Sequence, residues 1–137
     1  MGRLQPDEQD LRDIKRGIAV ASALCALDVG QACVVQQGLV LAAEAIEGTD
    51  AMLARTGELR RDAPGGVLVK VGRPKNEGRA DLPTIGVTSI HAAIAAGLRG
   101  IAVEAGCALI IDREQTIKAA DAAGIFVVGF DIQAMPG

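Results

Sequence analysis

A chain of 137 residues with a formal net charge of −3 and a sequence pI near 5.1 has the size of one folded domain. The negative charge and the small number of aromatic residues, Phe126 and Phe130, argue against binding to nucleic acid. Residues 1–15 are polar and charged, unlike a secretory signal, and residues 82–98 are too polar to span a membrane. We therefore expect a cytoplasmic protein whose membrane contact is at most peripheral.

The first half of the chain predicts two helices and a β-hairpin. Residues 7–27 place apolar side chains on one face of a long helix: Leu11, Ile14, Ile18, Ala21 and Cys25. Two β-prone runs follow, Ala32–Gln36 and Leu39–Ala43, and the Gln37-Gly38 pair between them predicts a tight turn. Residues 51–61 predict a second helix with Thr49 or Asp50 as its N-cap.

The second half of the chain alternates short apolar strands with helices. Strands are predicted at residues 67–71, 101–104, 108–111 and 125–130, and helices at residues 88–98, capped by Thr88 or Ser89, and 113–123. Continuous apolar strands between helices indicate an α/β fold, in which helices cover a mixed, partly parallel sheet. We assign residues 1–6 to a linker and residues 7–137 to this single domain.

The cysteines and the single histidine give no sign of a metal or redox centre. Cys25, Cys33 and Cys107 are widely spaced among apolar residues, so we expect free buried thiols in a reducing compartment. His91 has no second histidine to act with, and we expect it on a helix surface or in packing. Neither a P-loop nor a G-x-G-x-x-G turn occurs in the sequence.

Two polar clusters lie at predicted turns, where the backbone can approach a ligand. In the first, Glu47-Gly48-Thr49-Asp50, a helix start would offer amides to phosphate while a carboxylate holds a divalent cation; an ordinary capped helix is the simpler explanation. The second is a group of four cations just ahead of Asp81: Lys70, Arg73, Lys75 and Arg79. Such a group suits a phosphoanhydride, because cations neutralise the diphosphate and an aspartate orients water or holds a metal. A solvated basic loop is the alternative.

Six segments of the chain recur together in one known family: Leu27-Asp28-Val29-Gly30-Gln31, Val34-Val35-Gln36, Glu44-Ala45-Ile46-Glu47-Gly48-Thr49-Asp50, Gly66-Val67-Leu68-Val69-Lys70, Asp81-Leu82-Pro83-Thr84-Ile85-Gly86 and Gly100-Ile101-Ala102-Val103-Glu104-Ala105-Gly106. In this order they resemble the C-terminal domain of the LpxI-type UDP-2,3-diacylglucosamine pyrophosphatases. The resemblance extends over about residues 13–129, and it depends on the order and spacing of the segments rather than on one motif.

This resemblance implies a hydrolase of lipid A biosynthesis. The implied reaction is a magnesium-dependent attack of water on the α-phosphorus of UDP-2,3-diacylglucosamine, which yields UMP and 2,3-diacylglucosamine 1-phosphate, or lipid X. Family members have two domains with the lipid product between them. The implied partners are therefore UDP-diacylglucosamine, lipid X and the N-terminal domain of the same enzyme, and contact with the inner membrane would be peripheral. The isolated chain is then expected to be folded but inactive.

The resemblance also implies roles for particular residues. Asp81 of the Asp-Leu-Pro-Thr-Ile-Gly motif is the expected catalytic or metal-binding carboxylate, and Asp50 and Glu47 are further candidates for binding Mg²⁺. Contacts with phosphate or sugar are expected from four residues: Thr49, Lys70, Arg79 and Thr84. The family has a Gln-Asp pair where this chain has Asn76-Glu77, so we assign no role to those two positions.

Two other functions remain open at this point. One is a non-enzymatic module that holds a nucleotide-sugar or lipid ligand while another domain supplies the chemistry. A carboxylate beside bound diphosphate would favour the enzyme, because a pure binder needs only cations and amides. The other is a structural α/β domain with ordinary surface loops, which no nucleotide or lipid would stabilise against heat.

Overall fold

A computed structural model describes residues 4–62, 65–72, 84–105, 109–110 and 112–131. Within these residues the chain forms four helices: α1 (Glu8–Ala26), α2 (Thr49–Leu59), α3 (Val87–Ala95) and α4 (Arg113–Ala123). It also forms seven strands: β1 (Ala32–Gln36), β2 (Leu39–Ala43), β3 (Val67–Lys70), β4 (Thr84–Ile85), β5 (Gly100–Glu104), β6 (Leu109–Ile110) and β7 (Phe126–Phe130).

Five of these strands form one mixed sheet in the order β2-β1-β3-β5-β7. Strand β1 is antiparallel to both of its neighbours, whereas β3, β5 and β7 are parallel to one another. Strand β2 therefore runs in the same direction as the three parallel strands. We call the edge where these four strands end the carboxyl edge, and the opposite edge the amino edge. The short strands β4 and β6 form a separate parallel pair, and β4 was not predicted.

Helices cover both faces of the sheet, which confirms the predicted α/β fold. One core contains α1 side chains such as Ile14 and Ile18, packed with Val67 and Val69 of β3. The other core contains side chains from α2, α3 and α4, packed on Leu68 of β3. Because successive side chains of a strand point to opposite faces, a central strand covered on both sides must be apolar at every position. This explains the continuous apolar run that the sequence shows there.

Helix α1 is held at the amino edge by buried carboxylates rather than by an apolar side chain at Leu11. Leu11 was predicted on the buried face, but it is 47% exposed. Asp13 is fully buried instead, and its carboxylate accepts hydrogen bonds from the backbone N–H groups of Gln37 at 3.1 Å and Gly38 at 2.9 Å. Helix α1 is therefore oriented about its own axis so that the Asp13 side chain, and not that of Leu11, faces the sheet and contacts the hairpin turn.

A second buried carboxylate ties the start of α1 to the start of β5. Asp10 is almost fully buried and accepts a hydrogen bond from Arg99 Nε at 2.6 Å. The Asp10 side chain also accepts from the Asp7 N–H, while Asp7 caps the helix by accepting from the Asp10 N–H. Two orphan amides at the helix start are thereby satisfied.

The predicted hairpin is confirmed with its bounds. Gln37 and Gly38 have φ values of 51° and 79°. Positive φ at both central residues is the mark of a type I′ turn, whose twist matches that of the two strands. Glycine adopts this conformation without strain, and the Gln37 amide is held in place by Asp13.

The starts of α2 and α3 differ from the prediction. Helix α2 begins at Thr49 with Gly48 as its N-cap, and α3 begins at Val87 with Gly86 as its N-cap. Neither Thr49 nor Thr88 is therefore a cap, because the chain already enters the helix before them. The Thr49 hydroxyl bonds to Glu44 instead. The Ser89 hydroxyl accepts from the Gly86 N–H at 3.4 Å, from inside the first turn of α3.

The cysteines that the structure describes are buried free thiols, as predicted. Burial raises the pKa of the Cys33 thiol to about 12. Its Sγ lies 3.4 Å from the Gly17 carbonyl oxygen, to which it donates a hydrogen bond. Cys107 lies outside the described residues, and His91 is exposed on α3, one of the two places expected for it. A thiol that stays protonated at neutral pH does not act as a nucleophile.

Leu68→Ala is expected to destabilise the domain by about 2 to 5 kcal/mol, because it removes transfer free energy and leaves a cavity in the central strand. Chemical denaturation of both variants measures this change. Leu39→Ala is the matched control, since Leu39 is a strand residue that is half exposed, and a loss within about 0.5 kcal/mol is expected there. Equal losses in the two variants would contradict the placement of Leu68.

Asp13→Asn is expected to cost about 1 to 3 kcal/mol of unfolding free energy, because either orientation of the amide sets an N–H₂ donor against a backbone N–H. Glu58→Gln, which changes an exposed carboxylate of α2, should stay within about 0.5 kcal/mol of the wild type. Urea denaturation distinguishes the two. If both variants were equally stable, Asp13 would not hold the hairpin turn.

Candidate functional site

The carboxyl edge of the sheet carries a pocket of about 330 Å³. Lys70 ends β3 at this edge, and the loop after β2 brings the first polar cluster beside it. The residues that line the pocket are Glu47, Gly48, Thr49, Asp50, Lys70 and Ser89. The structure thus joins the first predicted cluster with one member of the second. Ligands of open α/β sheets bind at this edge because loops and helix starts converge there.

Two helices begin at the pocket. Thr49 and Asp50 are in the first turn of α2, and Ser89 is in the first turn of α3. The first amide groups of a helix have no intrahelical partner, and no side chain caps those of α2. Free amides and the positive end of the helix dipole together favour an anion.

Lys70 supplies the positive side chain among the pocket-lining residues. Its side chain is half-buried, and burial lowers the pKa of the ammonium group below the ordinary lysine value of 10.5. Glu44 and Asp50 act in the opposite direction, because their negative charges favour the protonated form. The fold therefore keeps a cation in a partly desolvated place, which costs stability and strengthens its interaction with an anion.

Glu44 is a residue of this site that we did not predict from the sequence. It is buried, and its Oε1 accepts from the Gln31 N–H at 2.8 Å. Its Oε2 accepts from the Thr49 hydroxyl, so that Thr49 is anchored to the end of β2. The signal was available, because a charged residue directly after a predicted strand of the hairpin must lie at the sheet edge.

Glu47 and Asp50, the two predicted metal ligands within the described residues, differ in their surroundings. Both Glu47 oxygens accept from the Arg55 guanidinium, at 2.6 and 3.2 Å, and Arg55 also donates to the Ala43 carbonyl. Asp50 is exposed at the pocket, and among the described residues no hydrogen bond or ion pair engages its carboxylate. Asp50 is therefore the better placed of the two to receive a cation.

The structure describes little of the remaining predicted site residues. Arg79 and Asp81 lie outside the described residues, and Thr84 is described only as the first residue of β4. The described chain stops at Gly72, two positions after Lys70, and resumes at Thr84. Gly72 is fixed at the carboxyl edge, where its N–H donates to Glu104 Oε1 at 2.8 Å.

A comparison with protein families identifies the chain. The model of the LpxI C-terminal domain family matches residues 1–128. The chain belongs to this family. A relative from Caulobacter vibrioides, named UDP-2,3-diacylglucosamine pyrophosphatase LpxI, is 49% identical over 142 residues, which cover 99% of this chain and 51% of the relative. The chain thus spans about half the length of this LpxI relative.

A solved structure supports the fold independently of the family match. The guanine deaminase from Nitrosomonas europaea is similar with a TM-score of 0.53 and 16% sequence identity, over 98% of this chain and 84% of that chain. At that identity the likeness shows the fold alone. The arrangement of sheet and helices in this chain therefore also occurs in a protein of a different name and low sequence identity.

The described residues contain neither a membrane-spanning helix nor a cluster of metal ligands. No helix in residues 4–62, 65–72, 84–105 or 112–131 is long and apolar enough to cross a membrane. Among the same residues, no three or more His, Cys, Asp and Glu side chains form a group that could hold a metal ion. Magnesium at phosphate sites is usually held by one or two carboxylates together with phosphate oxygens and water, and Asp50 meets that smaller requirement.

Lys70→Met is expected to raise the midpoint of thermal unfolding by a few degrees and to weaken binding of inorganic phosphate about tenfold. The lowered pKa means that the unfolded chain holds the proton of Lys70 more tightly than the folded chain does. The charged lysine therefore costs stability at neutral pH, and this cost disappears as the pH rises through the folded pKa towards 10.5.

The stability advantage of Lys70→Met should accordingly be largest at neutral pH and shrink as the pH approaches 10.5. Thermal melts at several pH values and phosphate titrations measure both effects. Lys118→Met, at an exposed position of α4, is the matched control and should change neither. An advantage that stayed constant with pH would show that desolvation of the lysine charge is not its cause.

Proposed function

We propose that the chain is the C-terminal half of an enzyme that hydrolyses UDP-2,3-diacylglucosamine to UMP and 2,3-diacylglucosamine 1-phosphate. Family membership and the name of the Caulobacter relative support the reaction. The observation that carries the proposal is the pocket at the carboxyl edge, where Lys70 and the starts of α2 and α3 meet. A cation and uncapped amides are the groups that a diphosphate requires.

In this proposal the described residues bind and orient the substrate. The Lys70 ammonium and the first amides of α2 neutralise the diphosphate, and their partial desolvation strengthens the attraction. Thr84 and Arg79 contribute further contacts to phosphate or sugar. The Lys70 ammonium and the first amides of α2 are held at the pocket by the fold, so that little reorganisation of these groups is needed as charge develops on the phosphoryl oxygens.

The chemistry is a displacement at the α-phosphorus. The oxygen of a water molecule forms a new bond to that phosphorus, and the bond to the bridging oxygen breaks. The bridging oxygen leaves on the β-phosphate as the sugar 1-phosphate, UMP keeps the oxygen of the water, and a proton passes to solvent. We assign Asp81 the role of orienting this water or binding a metal, with Asp50 as a second metal-binding carboxylate and Glu47, paired with Arg55, as a weaker one.

Magnesium is the cofactor that we propose for this site. Bound there, Mg²⁺ would polarise the phosphoryl oxygens and offset the charge that develops on them. The Asp50 carboxylate, exposed at the pocket, is an oxygen ligand of the kind that Mg²⁺ prefers. Glu47 could contribute only if its pairing with Arg55 were broken.

The proposed partners are the lipid substrate, lipid X and an N-terminal domain of the same enzyme. Two exposed apolar side chains, Ile46 and Leu27, support this proposal. Ile46 lies in the loop that leads to the pocket, and Leu27 follows the end of α1, where Cys25 reaches the Gly72 carbonyl at the carboxyl edge. We propose a cytoplasmic location with peripheral contact at the inner membrane, where the acylated substrate is available.

The first test compares the chain alone with a fusion to the N-terminal half of the Caulobacter relative. UMP release from UDP-2,3-diacylglucosamine, with and without magnesium, is the measurement. We expect turnover from the fusion in the presence of magnesium and none from the 137-residue chain. A fusion that binds the substrate but releases no UMP under any metal condition would favour the non-enzymatic binding module.

Asp81→Asn in the active fusion is expected to lower the turnover number by about 10²-fold to 10⁴-fold, because the amide can neither accept a proton nor ligate the metal as strongly. The melting temperature and the affinity for lipid X should change little, since the side chains have the same size. Asp62→Asn, an exposed residue near the end of α2, serves as control. A turnover number within a few-fold of wild type would remove Asp81 from the chemistry.

A further inference from the structure

The contact between Glu44 and Thr49 has a defined direction. Both oxygens of the Glu44 carboxylate accept hydrogen bonds, one from the Gln31 N–H at 2.8 Å and one from the Thr49 hydroxyl. A carboxylate accepts and does not donate, so the proton of this pair comes from Thr49. The hydroxyl proton is therefore committed to Glu44 and is not available to a ligand.

Glu44 is held so that it cannot easily give up this bond. It is 7% exposed, and its backbone N–H donates to the Ala32 carbonyl at 2.9 Å. The Glu44 carbonyl also lies against Gly30, where any larger residue would collide with it. Reversing the Thr49 hydroxyl would leave a buried carboxylate oxygen without a donor, which is costly.

The consequence concerns what Thr49 can recognise in the pocket. With its proton committed, Thr49 Oγ1 offers the pocket only lone pairs and acts there as an acceptor. A phosphate oxygen is also an acceptor and would be repelled, whereas a hydroxyl group of the ligand can donate. Lys70 and the amides of α2, by contrast, are donors only.

We propose that Glu44 is a positioning residue, which holds Thr49 Oγ1 as a hydrogen-bond acceptor, so that Thr49 recognises a sugar hydroxyl carried beside the phosphate. The inference deepens the proposed function and rests on its phosphate pocket. It divides the pocket into a donor side for phosphate and an acceptor side for the sugar.

Glu44→Gln tests the direction of the bond without changing the size of the side chain. If Oε1 of the new glutamine accepts from the Gln31 N–H, its Nε2 donates to Thr49, and the Thr49 hydroxyl proton turns towards the pocket. Thr49→Val removes the acceptor altogether but keeps the branched shape. Thr49→Ser keeps the hydroxyl and is the matched control.

The probes are glucose 1-phosphate, which carries hydroxyl groups beside its phosphate, and methyl phosphate, which has none. Calorimetric titration of the 137-residue chain gives both affinities. We expect Thr49→Val to weaken the binding of glucose 1-phosphate about fivefold, the usual size of one lost hydrogen bond. In Glu44→Gln the Thr49 hydroxyl can donate to a phosphate oxygen or to a sugar oxygen, so we expect this variant to gain at least as much affinity for methyl phosphate as for glucose 1-phosphate and thus to lose preference for the sugar phosphate. Methyl phosphate should bind unchanged or more tightly, since Glu44→Gln also removes a negative charge near Lys70, and Thr49→Ser should bind both ligands as the wild type does.

The outcomes separate this inference from the proposed function. If Glu44→Gln weakened the binding of glucose 1-phosphate and methyl phosphate equally, the inference would be overturned, and the role of Glu44 would be structural. If Thr49→Val bound both ligands normally, Thr49 would not recognise the sugar, and this result stands even if Glu44→Gln failed to fold. If wild-type chain bound neither ligand, the phosphate pocket of the proposed function would fail, and the inference with it.

Discussion

The burial of Asp13 against the hairpin turn is the contact on which the site depends. It holds the reversal between β1 and β2 in a left-handed backbone conformation. Because β1 runs opposite to the other strands of the sheet, β2 ends at the same edge as β3. This arrangement brings Glu44 and the start of α2 beside Lys70. The contact is at the amino edge, but its effect appears at the carboxyl edge.

The two edges of the sheet differ in how accessible their polar groups are. At the amino edge, Asp10 and Asp13 are buried and satisfied, by Arg99 and by backbone amides respectively. Such groups fix the geometry of α1, because a buried carboxylate without a partner would be costly. At the carboxyl edge, Asp50 and the first amides of α2 remain accessible. The carboxyl edge also has a buried carboxylate that holds the fold, Glu44, but it combines this residue with groups that a ligand can reach.

The charged side chain of Lys70 at the pocket lowers the stability of the fold. Burial lowers the pKa of its ammonium group, so the fold would be more stable with an apolar residue there. Residues at binding sites often carry such a penalty, because the same desolvation strengthens their interaction with a charged ligand. Glu44 limits the penalty through its negative charge, and it also orients Thr49. One buried carboxylate thereby affects both the cation and the hydroxyl of the pocket.

The sequence by itself determined the type of most elements in this protein. The hairpin and α4 were predicted with their bounds, because turn chemistry, alternation and helical periodicity are local properties. The six ordered segments also indicated the LpxI family, which the family match confirms. Of the candidate site, the cluster from Glu47 to Asp50 and Lys70 were identified as separate groups of residues.

Only the tertiary structure decided which of these groups meet and what their side chains do. Lys70 and the cluster at the start of α2 line the same pocket. Leu11 is exposed whereas Asp13 is buried, and α2 begins at Thr49 rather than after it. Thr49 was one of the two predicted N-caps of α2, with Asp50, but its hydroxyl donates a hydrogen bond to Glu44 instead. Hydrogen-bond direction and burial depend on residues distant in the chain, which local patterns of sequence do not contain.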